Sequence, residues 1–371
     1  MNMTDLLNLM LEQNASDLFI TTGAPPSLKI DGRVLPIKSP VLSAEQSRDM
    51  AYSIMNDQQR RDFEATKECN FAVNPIELGR FRVNVFVQQG QVGMVLRTIK
   101  THIPTFEDLH LPQIMGELAL RKMGLVLFVG GTGTGKSSSQ AALVGYRNRH
   151  TKGHIVTIED PVEFVHTHEN CIITQREVGV DTESFEIALQ NAMRQAPDVI
   201  QIGEIRKPET MDNAIVFAET GHLCLATLHA NNTYQALDRI INFFPHDRRE
   251  QLLMDLSFNL GAIVSQRLLP IRGGKGRVPA LEIMLNSPLV ADLILRGDLQ
   301  KLHDVIERST DLGMCTTDQS LFKLFREDMI TYEDALRNAD SVNNLRLRIK
   351  LEGSSPAARE KMGSSLDGLA V

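Results

Sequence analysis

Apolar residues recur at Leu6, Leu7, Met10 and Leu11, a helical spacing that predicts an amphipathic first helix. Leu18-Phe19-Ile20 then reads as a strand, stopped by the turn residues Gly23-Ala24-Pro25-Pro26. From Phe81 to Val87 apolar and polar residues alternate, the pattern of a strand with one wet face. Residues 1–100 therefore read as a small α+β domain. Ile103-Pro104 and Leu111-Pro112 punctuate residues 101–115, which read as a linker. Beyond it, the apolar runs Leu125–Val129, Ile155–Ile158, Val199–Ile202 and Leu223–Leu228 alternate with helical stretches. That alternation predicts an α/β domain over 116–351 with a mostly parallel sheet. From Tyr234 to about Leu351 the pattern is mainly helical, with Leu252, Leu253, Leu256 and Leu260 as one core stripe. Residues 352–371 are rich in Ser, Gly and Ala and read as a disordered tail.

Charge narrows the range of partners. The 371 residues carry 39 Lys and Arg against 46 Asp and Glu, a net charge of −7, which argues against nucleic acid as the main partner. No apolar run approaches the roughly 20 residues that span a bilayer. The first 20 residues lack a basic start and carry Asp5, Glu12 and Asp17, unlike a secretory signal. Cys69, Cys171, Cys224 and Cys315 are far apart, which excludes a four-cysteine zinc module and fits a reducing compartment. The expectation is a cytoplasmic protein with no direct membrane insertion, which meets a membrane only through a partner.

The strongest chemical signal is Gly130-Gly131-Thr132-Gly133-Thr134-Gly135-Lys136-Ser137, followed by Ser138, which matches the Walker A pattern without mismatch. An apolar strand enters it and a helix-compatible segment leaves it. Glycines let backbone N–H groups turn inward around phosphate, and the following helix offers its positive end. Lys136 is expected to reach the β- and γ-phosphates, and the Ser137 hydroxyl to coordinate Mg²⁺. No Asn-Lys-x-Asp guanine-reading motif occurs, which favours ATP.

Four apolar runs end in residues able to do chemistry, and ligands of open parallel sheets bind outside such carboxyl ends. The first ends in the phosphate loop. The second ends in Glu159-Asp160-Pro161-Val162-Glu163, where Pro161 should break the strand and leave Glu163 on a loop able to reach nucleotide and orient water. The third ends in Gly203-Glu204, which reads as the magnesium-side acid of a Walker B strand. The fourth ends in His229, where a ring N–H could sense a γ-phosphate. His222 lies seven residues earlier, about 23 Å away along a regular strand, so the two histidines cannot share one metal ion. For His222 a hydrogen-bonded place in a turn is as good a reading as a functional one.

Arg80, Arg82 and Arg97 belong to the first domain. Arg80 and Arg82, two apart on a strand, should point to one face. They form either a solvated, salt-bridged surface or a clamp on a neighbouring subunit's γ-phosphate, a device worth about 10³–10⁵ in rate. The residues themselves do not choose.

Taken together, these motifs resemble the secretion-superfamily motor ATPases of the PilT/PilU type, which drive type IV pilus retraction and twitching motility. The resemblance runs from Ala15-Ser16-Asp17-Leu18 to about Leu351. It rests on Ile158-Glu159-Asp160-Pro161-Val162-Glu163, on Gly203-Glu204-Ile205-Arg206, and on Ala218-Glu219-Thr220-Gly221-His222-Leu223 through Thr227-Leu228-His229. It implies a PAS-like N-terminal domain, a RecA-like P-loop ATPase domain with a helical C-terminal part, and a homo-hexamer. It also implies that Glu163 is the catalytic glutamate and Glu204 the Walker B acid, and that Arg80, Arg82 and Arg97 approach the nucleotide. The implied partner is an inner-membrane platform protein at the pilus base. The absence of paired CxxC ligands and of a long extra N-terminal domain favours retraction over extension or type II secretion motors. Arg206-Lys207-Pro208, Asn286-Ser287-Pro288 and Tyr332–Asp340 are more similar to the accessory PilU branch, which implies work alongside a PilT-like ATPase.

Competing readings are a RecA-like nucleic-acid translocase, an ATP-binding regulatory subunit with little turnover, and a small-molecule kinase. The acidic total, the absence of Trp and only 4 Tyr weigh against a base-stacking channel.

Overall fold

Asn2 caps helix α1 (Met3–Glu12), accepting from the Asp5 N–H while the Asp5 carboxylate accepts from Asn2, and Met3, Leu6, Leu7 and Met10 are buried. Of the residues in the predicted stripe only Leu11 turns outward. A computed structural model describes residues 2–30, 32–75, 78–274 and 276–352. The tail expected at 352–371 lies outside the described residues except for Glu352, which closes the last helix. The described residues divide into two compact units, one holding residues up to 103 with 159–167 and 175–188, the other holding 104–158, 168–174 and 189 onward.

In the first unit, α1 is followed by β1 (Asp17–Ile20), β2 (Ser27–Ile30), β3 (Arg33–Pro36), α2 (Ala44–Ser53), α3 (Asp57–Thr66), β4 (Glu68–Val73), β5 (Phe81–Gln88) and β6 (Gln91–Thr98). The strands form one sheet in the order β3-β2-β1-β6-β5-β4, in which all neighbouring strands are antiparallel. The alternation expected at Phe81–Val87 is realised: Phe81, Val83 and Val85 are fully buried against Leu6, Met10, Leu18, Phe63, Met94 and Leu96. Arg82 and Asn84 take the opposite face.

The second unit begins with α4 (Ile114–Ala119), β7 (Gly124–Val129), α5 (Lys136–His150) and β8 (Gly153–Glu159). The chain continues through β9 (Cys171–Glu177) and α6 (Phe185–Ala192), of which residues 175–177 and 185–188 count with the first unit, then β10 (Val199–Ile202), α7 (Pro208–Glu219), β11 (Leu223–Leu228), α8 (Thr233–Phe243), α9 (Arg249–Asn259), β12 (Leu260–Pro270) and β13 (Arg277–Leu285). It ends in α10 (Pro288–Leu295), α11 (Leu302–Arg308), α12 (Thr317–Arg326), α13 (Tyr332–Arg337) and α14 (Val342–Glu352). Strand order is β13-β12-β7-β11-β10-β8-β9, with β12, β7, β11, β10 and β8 mutually parallel and β13 antiparallel to β12. All six residues of β7 and of β11 are buried, as expected for parallel strands covered on both faces.

Two segments differ from the hydrophobic pattern. Phe106, Leu111 and Met115, inside the stretch read as a linker, are buried in the second unit's core. The region after Tyr234 was expected to be mainly helical with Leu260 in a helical stripe, but Leu260 opens the long strand β12. A buried strand next to β7 needs apolar residues on both faces, so its run Leu260-Gly261-Ala262-Ile263-Val264 has no period to distinguish it from a buried helix.

Candidate active site

The phosphate loop joins β7 to α5. Gly130 and Gly135 have φ of +150° and +90°, a region closed to most side chains. A Cβ on Gly130 would lie 2.6 Å from Thr134 Oγ1 and 2.7 Å from the Gln266 carbonyl oxygen, so the loop closes only over glycine. Thr134 Oγ1 donates to the Gly131 carbonyl at 3.0 Å, and Lys136 Nζ donates to the Gly130 and Gly131 carbonyls at 2.9 and 2.7 Å. The lysine thus lies across the loop that it would serve. Helix α5 has no side-chain cap and no acid in its first turn, unlike α1, α2, α3 and α12, which all carry capping boxes. Its first N–H groups are therefore left for an anion.

Glu204 follows β10 and His229 follows β11, strands that lie side by side with β7 on the far side of β11. Thr227 Oγ1 donates to the Gly203 carbonyl, and the Ile205 N–H donates to the Thr227 carbonyl at 2.8 Å, which fastens the Glu204 segment to the end of β11. His229 Nε2 sits 3.0 Å from Glu204 Oε1, and Arg206 contacts Glu204 Oε2 through Nε at 2.9 Å and a terminal nitrogen at 2.6 Å. One carboxylate is thus bracketed by an imidazole and a guanidinium. His222 lies just before the other end of β11, its Nδ1 within 3.1 Å of Thr220 Oγ1 and 3.2 Å of the Phe217 carbonyl oxygen, which is the turn role.

Glu163, Arg80, Arg82 and Arg97 all fall in the first unit. Glu163 is exposed between buried Val162 and Phe164, and the Val165 N–H donates to the Lys100 carbonyl, so the segment is anchored on both sides of its carboxylate. Each arginine meets an acid of its own unit. Arg80 pairs with Asp181 at 3.4 Å, Arg82 with Glu177 at 3.3 Å and Arg97 with Asp17 at 2.8 Å. Arg82 and Arg97 are direct cross-strand neighbours. The structure therefore brings Lys136, Ser137, Glu204 and His229 into one unit, and Glu163 with the arginines into the other.

Three side chains beside these residues, two in the second unit and one in the first, carried no role in the sequence. Gln266 on β12 accepts from Ser139 Oγ at 2.8 Å, and its Nε2 occupies the space that a Cβ on Gly135 would need. Its signal was an amide inside an apolar strand. Arg206 was visible as a cation two residues after Glu204. Glu177, fully buried, had no local signal at all.

The oxygen donors Ser137 and Glu204 suit a hard dication such as Mg²⁺. Among the described residues no group of three or more His, Cys, Asp or Glu side chains could enclose a metal ion. Among the described residues no helix is long and apolar enough to cross a membrane.

A glycine-rich phosphate loop with an open helix N-terminus, on a parallel sheet whose neighbouring strand ends carry a paired acid and histidine, defines a P-loop nucleotide-binding protein. The model of the family "Type II/IV secretion system protein" matches residues 3–278, and the chain belongs to that family. It is 58% identical over 371 residues to the type IV pilus ATPase PilU of Pseudomonas aeruginosa, covering 100% of this chain and 97% of that protein. It is 40% identical to the type IV pilus retraction ATPase PilT of the same organism, covering 93% of this chain and 100% of that one. Among solved structures it is similar to a crystal structure of the pilus retraction motor PilT with bound ADP, with a TM-score of 0.87, 41% identity and coverage of 93% and 99%.

Proposed function

We propose that this chain is an ATP-hydrolysing motor that powers type IV pilus retraction, as an accessory motor of the PilU kind working beside a PilT-like ATPase. Residues 1–100 are the PAS-like domain and residues 116–351 the RecA-like ATPase domain. Six copies form a ring in the cytoplasm, at the inner-membrane face of the pilus machine, and act on its platform protein. Identity of 58% along the whole chain to a pilus ATPase supports the branch.

The phosphate loop binds the triphosphate of ATP through backbone N–H groups of Gly131 to Ser138, and Lys136 exchanges its loop carbonyls for the β- and γ-phosphates. Ser137 and Glu204 would hold a Mg²⁺ ion, which would supply positive charge to the phosphates. Glu163 orients and deprotonates the attacking water. His229 reports the state of the γ-phosphate to Glu204 through their 3.0 Å contact. Arg80, Arg82 and Arg97 supply positive charge to the transition state.

The observation that carries this reading is the row of strand ends β7, β11 and β10, which end in the phosphate loop, His229 and Glu204 on neighbouring parallel strands. Steady-state phosphate release by the purified full chain, with ATP and Mg²⁺, tests it. Lys136→Ala is expected to lower turnover by about 10²-fold or more while the far-ultraviolet dichroism stays that of the parent. Unchanged turnover in that variant would refute the proposal.

A further inference from the structure

Glu177 has no part in the roles just assigned, yet it is 0% exposed at the end of β9. A buried carboxylate is costly unless its charge is met, and apolar groups of similar size usually serve packing as well or better. Its two oxygens have different partners. Oε2 accepts from the Val162 N–H at 3.3 Å, the peptide next to Glu163. Oε1 lies 3.3 Å from a terminal nitrogen of Arg82 but receives no aligned hydrogen bond, so charge alone holds that contact.

The same turn presents a second carboxylate. The Val180, Asp181 and Thr182 N–H groups donate to the Glu177 carbonyl at 3.2, 2.8 and 3.3 Å. Asp181 Oδ2 accepts from the Glu177 N–H at 2.9 Å and lies 3.4 Å from Arg80. Two acids from one turn thus meet two arginines spaced two residues apart along one sheet face. Arg82 is 31% exposed and Arg80 22%, so an anion can reach both without unfolding the strand. A guanidinium matches phosphate as well as it matches carboxylate.

We propose that Glu177 is a positioning residue that ties Arg82 to the loop carrying Glu163, and that Glu177 and Asp181 form a carboxylate rest site which a nucleotide's terminal phosphate must empty. The proposal rests on the reading of Glu163 and Arg82 given above. When Arg82 turns to phosphate, Glu177 loses its cation and keeps the Val162 N–H as its remaining partner. Capture of phosphate is thereby felt at the peptide beside Glu163.

Competition has a consequence that packing does not. Removing the carboxylate charge favours the phosphate-bound arginine, so binding tightens, while the hold on the Glu163 loop slackens and turnover slows. Isothermal titration with ATPγS and Mg²⁺, together with steady-state ATP hydrolysis, reads both on the full chain. Glu177→Gln is expected to lower the Kd about threefold or more and kcat about tenfold. Asp181→Asn sits at a half-exposed site and folds without difficulty; it should tighten binding about twofold, with a smaller loss of kcat than Glu177→Gln. Glu177→Asp, which keeps the charge, should recover the parent Kd. In the double variant, Glu177→Gln should add no further loss of kcat to that of Arg82→Ala.

Weaker or unchanged binding in both carboxylate variants overturns the rest site, and additive losses in the double variant overturn the coupling. Either result, obtained while Glu163→Gln and Arg82→Ala are inactive or slow, defeats this inference alone. Parent-like turnover by Glu163→Gln and Arg82→Ala defeats the functional reading and this inference with it.

Discussion

The second unit presents a phosphate loop built mainly of backbone groups, and the first presents side-chain charge. In the phosphate loop the binding groups are peptide N–H donors, fixed by glycine geometry and by an uncapped helix. On the first unit's sheet Arg80, Arg82 and Arg97 each rest against a carboxylate, and Glu163 stands exposed between two buried neighbours. The loop's backbone donors are prebuilt, and only Lys136 has to leave the loop carbonyls that it now holds. The arginine face must exchange partners, so it is the part able to respond to what has been bound. The difference teaches that affinity and turnover should be separable by mutation.

The largest expected effect sharpens that separation. Lys136→Ala should weaken ATPγS binding and abolish hydrolysis together, whereas Arg82→Ala should lower kcat about 10²-fold or more with only a modest change in Kd. Titration calorimetry beside phosphate release checks both variants, and equal losses of affinity would erase the contrast. Next in size, Gly130→Ala forces a Cβ to within 2.7 Å of a backbone carbonyl oxygen at φ +150°. It should cost about 1–3 kcal/mol of stability in denaturant titration and remove nucleotide binding. The same substitution at Gly131, where the nearest atom would be 3.9 Å away, should cost much less.

The smallest effect concerns a site away from both surfaces. Glu282 on β13 is buried and accepts from the Thr233 N–H at 2.7 Å. Burial raises its carboxyl above the ordinary range; the Thr233 hydrogen bonds oppose this, Asp340 adds to it and His303 offsets part. An acid with a raised folded value contributes stability that is complete below its unfolded value and lost as pH rises through the folded one. Glu282→Gln, neutral throughout, should therefore have a higher Tm than the parent near pH ~8, and the difference should vanish near pH ~4. Thermal melts across that range check the sign.

Much of the second unit was legible in the chain. The four apolar runs became β7, β8, β10 and β11 because parallel strands buried on both faces must be continuously apolar, and their chemistry sits where the runs stop. The phosphate loop was legible for the same local reason, since its glycines are fixed by the turn that they make. Strand β12 was not, because a buried run without period and with Leu260 at its head fits the preceding helical stripe equally well. Contacts across sequence were closed altogether. Gln266 meets Ser139 from 127 residues away, and Glu177 reaches the Val162 N–H across 15 residues; no local spacing encodes either. The arginine face was visible as a charge pattern, but its pairing with Asp181, Glu177 and Asp17 required the sheet.

The division of labour between the units is tested most directly by single-turnover hydrolysis of γ-labelled ATP by Glu163→Gln, with the protein in excess over nucleotide. The account predicts that this variant binds ATP as tightly as the parent and releases essentially no labelled phosphate over many parent half-times. Parent-like release would show that the water-activating group lies elsewhere, and the first unit's exposed carboxylate would lose its role.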